Sequence, residues 1–129
     1  MAATSSTSEP TPEEQVSVIN AAKFAELKEL LGSELGHLID SFEHLGQTTV
    51  QTLRQTLERG DKDTAAKAIH RLKGSCGNVG AQQLLELCRT LETAIGQGEE
   101  ADLADSINAL AEAHNRACGQ LRVHSEKFD

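Results

Sequence analysis

From Ser33 onward, apolar side chains fall at Leu35, Leu38, Ile39, Phe42, Leu45, Val50, Leu53 and Leu57. Steps of three and four return to one face of a helix, which repeats about every 3.6 residues, and cannot be reconciled with the two-residue alternation of a strand. The spacing predicts one long amphipathic helix from Ser33 to near Gly60. A helix with a single apolar face has to bury it against another element. The rest of the chain offers only more helices. "GDKDTAAKAIHRLKGSCGNVG" predicts the next, capped by Asp61 or Asp63. "AQQLLELCRTLETAI" places Leu84, Leu87, Cys88, Leu91 and Ile95 on one face and stops at Gly96 and Gly98, and a last helix runs from about Asp102 to beyond Leu121. Thr11-Pro12-Glu13-Glu14 has the proline and early acids of a helix start, ahead of "NAAKFAELKELLG", which Gly32 closes. No Val, Ile, Thr or aromatic alternation flanks a hairpin turn, and no internal repeat is visible. The expected fold is all-α, an antiparallel up-down four-helix bundle with a short additional N-terminal helix. It forms one domain over residues 13–129, behind a polar, disordered N-terminal tail at 1–12.

Composition narrows the chemistry. The chain has no Trp or Tyr and three Phe, so its core must be built from Leu, Ile, Val and Ala. A net charge of -8 opposes a nucleic-acid surface, which needs a basic face, and the missing aromatics remove base-stacking platforms. Cys76, Cys88 and Cys118 are odd in number and widely spaced, without a C-x-x-C pair, and read as reduced core residues rather than as disulfides or a zinc site. No apolar run approaches the ~20 residues of a membrane span. The start "MAATSSTSEPTPEEQ" lacks the parts of a signal peptide, so no membrane association and a cytoplasmic location are expected.

The stretch "HRLKGSCGNVGA" poses a question, because each glycine inside a helix costs about 1 kcal/mol relative to alanine. With successive residues about 100° apart and His70 at zero, Ala65, Ile69, Leu72, Cys76 and Val79 gather on the far side as a core stripe. Lys67, Lys73, Gly74 and Gly77 fall within about 60° of His70. His70 therefore projects outward beside a strip of helix without side chains. Lys67, Arg71 and Lys73 make a basic island around it, three of the chain's 12 Lys and Arg. That arrangement suits a neutral imidazole nucleophile with a lysine to steady phosphoryl oxygens, and bare glycines that admit a partner surface. An ordinary solvated face, with the helix fraying through Gly74 and Gly77, accounts for the same spacing. His114 and Cys118 stand four apart on a helix, yet two ligands make no metal site. His37, His44 and His124 have no evident partners, and Gly74 and Gly80 do not form a phosphate-cradling loop.

The linear pattern separates these readings. "IHRLKGSCGNVGAQQLLELCRTLE" resembles the histidine-phosphotransfer (HPt) family through His70, Leu72, Lys73, Gly74, Ser75, Cys76, Asn78, Gly80, Ala81, Cys88, Leu91 and Glu92. "LGSELGHLIDSF" and "LRQTLERGDKDTAAKAIH" look like the family's preceding helix and turn. Cys76, where serine or alanine is commoner, is a mild departure. The resemblance implies that His70 is phosphorylated and that Lys73 lies near the phosphoryl group. It implies that a receiver packs against Gly74 and that Glu92 hydrogen-bonds the imidazole; the helix positions read above add Lys67, Arg71 and Gly77 as binding candidates. Arg89, one turn before Glu92, is a further candidate for the site. The implied function is a phosphorelay intermediate, a phosphocarrier without an ATP site, accepting phosphate from a receiver-domain aspartate and passing it to another response regulator. The partners implied are response-regulator receivers and a hybrid sensor histidine kinase, with the chain acting as a monomer. No metal or cofactor is expected in the chain itself, the Mg²⁺ being supplied by the partner receiver. A phosphoacceptor module of a larger hybrid or chemotaxis-type kinase, or a non-catalytic helical adaptor, are the alternatives.

Overall fold

The computed structural model describes residues 17–98 and 103–126. The tail at 1–12, the helix start at Thr11–Glu14 and the last helix's start at Asp102 lie outside them. The described residues form α1 (Ala21–Leu31), a 3-10 turn (Gly32–Glu34), α2 (Leu35–Glu58), α3 (Lys62–Val79), α4 (Gln82–Gly96) and α5 (Leu103–Glu126), and no strand occurs among them. Each of α2 to α5 packs on its two neighbours around a ring, and neither diagonal pair approaches closely. This is the antiparallel up-down four-helix bundle. The short N-terminal helix is α1, capped by Asn20, whose side chain accepts from the Lys23 N–H at 3.1 Å.

Helix α1 closes one end of the bundle. The Asn20 N–H donates to the Gly80 carbonyl at 2.7 Å, tying the start of α1 to the α3–α4 turn. Phe24 is buried with its ring set edge-on to His124, and the Lys28 ammonium donates to the Ser125 carbonyl at 2.8 Å near the end of α5. A cation there satisfies carbonyls that the helix leaves open. The long helix begins at Leu35 rather than at Ser33, because Gly32 takes a left-handed φ of 53° and the chain turns through Gly32–Glu34 before α2 starts.

The buried face of α2 is Leu35, Ile39, Phe42, Gly46, Thr49, Leu53 and Thr56, in alternating steps of four and three, the seam geometry of packed helices. Leu38, Leu45, Val50 and Leu57 flank that seam half-buried. Apolar periodicity therefore finds the helix but misses Gly46, Thr49 and Thr56. Both threonines are tolerated because their hydroxyls donate to the helix's own carbonyls, Thr49 to Leu45 and Thr56 to Thr52, each at 2.7 Å. Gly46 faces His114 of α5, whose imidazole occupies the space a Cβ would take. Cys76, Cys88 and Cys118 are buried free thiols. Burial pushes the Cys118 thiol up to about 11, so it stays protonated and unreactive.

His114 is itself core, with Nε2–H donating to the Phe42 carbonyl at 3.3 Å and Cys118 Sγ at 3.4 Å from the same nitrogen. Desolvation by burial holds its pKa below the ordinary 6.5, against the Phe42 carbonyl and Glu43, which favour the charged form. The unfolded chain therefore takes up the proton first as pH falls. Its contribution to stability is complete above about pH 6.5 and declines below it, toward the folded-state value. Urea melts at pH 7.5 and 5.5 should show lower stability at 5.5, with a smaller difference in His114→Gln. An equal pH difference in both proteins would remove His114 as its source.

Candidate functional site

Helix α3 is capped by Asp61, whose carboxylate accepts from the Thr64 N–H at 3.2 Å; Asp63 sits within the first turn. Ala65, Ile69, Leu72, Cys76 and Val79 point into the bundle without exposure, the stripe expected from their spacing. Gly74 and Gly77 do not break the helix. It runs on to Val79 and ends where Gly80 adopts φ 81° and donates its N–H to the Cys76 carbonyl at 2.9 Å. An added Cβ at Gly74 or Gly77 would meet nothing within 4 Å. Their lack of side chains therefore serves no contact inside the protein.

His70 leaves α3 on the opposite side from this stripe, with its side chain 70% exposed. The turn at Gly80–Ala81 folds α4 back along α3, and burial of Leu84, Cys88, Leu91 and Ile95 sets its rotation. Glu92 is thereby brought to His70, its Oε2 at 3.0 Å from Nδ1. The second carboxylate oxygen, Oε1, accepts from the Lys73 ammonium at 2.7 Å. Lys73, ahead of His70, holds the Glu92 carboxyl below its ordinary pKa, against a desolvation that would raise it. An ionised carboxylate only accepts, so Nδ1 carries the hydrogen and the lone pair of the neutral ring lies on Nε2.

The sequence reading sends Lys73 to a phosphoryl group and Glu92 to the imidazole, but does not pair them with each other. Helical register could have done so: His70 lies ten residues before Gly80 and Glu92 eleven after Ala81, so a hairpin folded at that turn sets them level. Lys73 stands one turn nearer the bend on the same face. Arg89 is not brought to His70; its guanidinium donates to Glu86 on its own helix at 2.7 Å. Lys67 and Arg71 are exposed on α3. Arg71 and Ser75 border a shallow groove whose other wall is Leu38, Ser41, Leu45 and Thr48 of α2. Among the described residues no three His, Cys, Asp or Glu side chains converge as a metal site would require. No described helix is long and apolar enough to cross a membrane.

The fold and this site define a helical bundle that leaves one imidazole nitrogen of an exposed ring open while Glu92 of the next helix holds the other. The chain belongs to the histidine-phosphotransfer family: the family model described as Hpt domain matches residues 37–120, from the first turn of α2 into α5. Its members are phosphocarriers of phosphorelays rather than enzymes in the ordinary sense, and histidine phosphotransfer in a relay is the role that membership assigns. The fold is also similar to that in the crystal structure of histidine-containing phosphotransfer protein B (HptB) from Pseudomonas aeruginosa PAO1. That likeness has a TM-score of 0.79 and 21% identity, over 87% of this chain and 97% of the other. No curated protein sequence matches the chain.

Proposed function

We infer that the chain is a relay intermediate in which His70 accepts a phosphoryl group from the aspartyl-phosphate of one receiver and delivers it to the aspartate of another. The observation that carries this is the Nδ1–Glu92 hydrogen bond, which leaves Nε2 with the lone pair on an exposed ring. In the forward step Nε2 attacks phosphorus, and the bond from phosphorus to the aspartate oxygen breaks with its electrons on the departing carboxylate. The Nδ1 proton stays, held by Glu92, which stabilises the positive charge gained by the ring. The reaction needs no proton acceptor beyond that contact. Mg²⁺ and the acidic pocket that binds it belong to the receiver, in the cytoplasm where such partners operate. Lys67 and Arg71 offer an approaching acidic pocket the local positive charge that a chain of net charge -8 otherwise lacks.

Incubation with a ³²P-labelled receiver tests the reading. Label should pass to the chain as acid-labile, alkali-stable phosphate. Binding without label would favour a helical adaptor, the alternative that shares the same surface.

The bare strip gives a second test. Since an added side chain at Gly74 meets no other part of the protein, Gly74→Ala should hold stability or raise it by up to about 1 kcal/mol, and Gly74→Gln should also fold. Receiver binding and transfer should nevertheless fall, further for Gln than for Ala, because the added atoms occupy the receiver's place. Thermal melts and receiver titrations on the same two variants measure both quantities. Wild-type binding and transfer in both would remove the strip from the interface.

A further inference from the structure

Helix α4 carries a cation on the outer edge of the site. Its buried stripe of Leu84, Cys88, Leu91 and Ile95 lies to one side of Glu92, and Arg89, three positions back, lies about 60° to the other. Arg89 is thus on the same shoulder of α4 as Glu92 but turned further toward solvent. It is eight residues after Ala81, and the register that sets His70 against Glu92 sets Arg89 against Lys73, seven before Gly80. The next residue along α3 is Gly74, where there is no side chain and an added Cβ would meet nothing within 4 Å. The long arginine side chain on α4 therefore borders a bare stretch of α3, and a surface laid on the Gly74–Gly77 strip has Arg89 at its flank.

Exposed cations then stand on both sides of the strip, Lys67 and Arg71 from α3 and Arg89 from α4. The acids beside them on α4 are both occupied: Glu92 takes Lys73 and His70, and Glu86 takes one nitrogen of Arg89, Nη1 at 2.7 Å. The Arg89–Glu86 pair lies at the surface, its side chains 59% and 38% exposed, where a pair three apart on one helix is weak and screened by salt. A planar guanidinium has five N–H donors, so one bond to Glu86 leaves a fork that fits a second carboxylate. Its charge persists at every working pH, and the contact needs no titration.

We propose that Arg89 is a specificity residue for the receiver: on docking, its guanidinium exchanges Glu86 for a carboxylate at the rim of the receiver's acidic site, and so favours receivers that carry an acid there over those that carry a lysine or arginine. This rests on His70 exchanging its phosphoryl group with a receiver. Arg89 is not brought to His70 and takes no part in bond making or breaking; its effect is on how tightly a receiver is held. The weakness of the resting pair suits the exchange, because little is lost when the guanidinium leaves Glu86. A like charge facing Arg89 is penalised as a matching acid is rewarded, and discrimination between receivers comes from both.

Transfer kinetics from a ³²P-labelled receiver that phosphorylates the wild type test this in Arg89→Glu, Arg89→Lys and Glu86→Gln, with circular dichroism confirming that each surface variant folds. Arg89→Glu should raise KM for the receiver about tenfold at low salt and leave kcat within about twofold, and the gap in KM should shrink as salt is added. Arg89→Lys, which keeps the charge but not the fork, should fall between it and the wild type. Glu86→Gln breaks the same pair from the other side and should not raise KM. A wild-type KM in Arg89→Glu, a rise that salt does not diminish, or a loss confined to kcat would overturn the assignment while leaving His70 as phosphoacceptor. An equal rise in Glu86→Gln would do the same, by showing that the pair acts within α4 and not on the receiver. Folded wild-type protein that takes no label from any phosphorylated receiver would overturn the functional reading and the role of Arg89 with it.

Discussion

His70→Gln should fold as the wild type does and take no phosphoryl group. The side chain is 70% exposed and its hydrogen bond is to Glu92, whose other oxygen remains held by Lys73. Losing one exposed hydrogen bond of this kind costs on the order of 1 kcal/mol or less, a small part of a domain's stability. Function has no such reserve. Glutamine keeps a polar group of similar reach but has no ring nitrogen to attack phosphorus, and without a nucleophile the covalent route is closed rather than slowed. Circular dichroism should show unchanged helix content, while labelling from a phosphorylated receiver should fall to background. Persistent acid-labile label on the variant would move the acceptor to another histidine, of which the chain has four besides His70.

Gly46→Ala should be among the most damaging single-methyl changes available to this fold. On an exposed helix face the same substitution would add about 1 kcal/mol of stability. Here the new Cβ falls on the imidazole of His114, with three ring atoms inside contact distance. The ring is 2% exposed and lies against Phe42, with ring centroids 5.5 Å apart, so it has no free space to turn into. Overpacking of this kind costs about 1 to 3 kcal/mol. Displacing the ring also breaks the Nε2–H bond to the Phe42 carbonyl and strands a buried donor, about 1 to 3 kcal/mol more. The net loss, on the order of 2 kcal/mol or above, should lower Tm by roughly 5 to 10 °C. Coupling supplies the control: in a His114→Ala background the Gly46→Ala change should cost little or become favourable, because the clash has gone. Strict additivity of the two substitutions would show that Gly46 and His114 do not share one space.

These two residues mark the limit of reading by pattern. The apolar stripe of α3 was legible in full, since Ala65, Ile69, Leu72, Cys76 and Val79 are marked by hydrophobicity and their rotation follows from helix geometry alone. His70 was legible for the same reason, as the position opposite that stripe. Gly46, Thr49 and Thr56 lie on the buried seam of α2 just as surely, yet none announces itself as core. Glycine and threonine are admitted there by what faces them: a ring from α5 in one case, carbonyls of the preceding turn in the other two. The lone histidine His114 gave no sign that it was a wedge and not a ligand, because its partner is a backbone carbonyl 72 positions away.

By itself, then, the sequence determined four amphipathic helices behind a short first one, their turn positions at Gly60 and Gly80, and one outward histidine on a bare, basic strip. Each of these depends on the order of residues along a single helix, where geometry repeats and neighbours are known. Tertiary structure alone decided which side chains meet across helices. It gave Lys73 to Glu92, kept Arg89 with Glu86, and set His114 into Gly46. Such contacts depend on rotation and stagger between two helices to within a few ångströms, and those quantities come from the packing of the whole core rather than from any one segment.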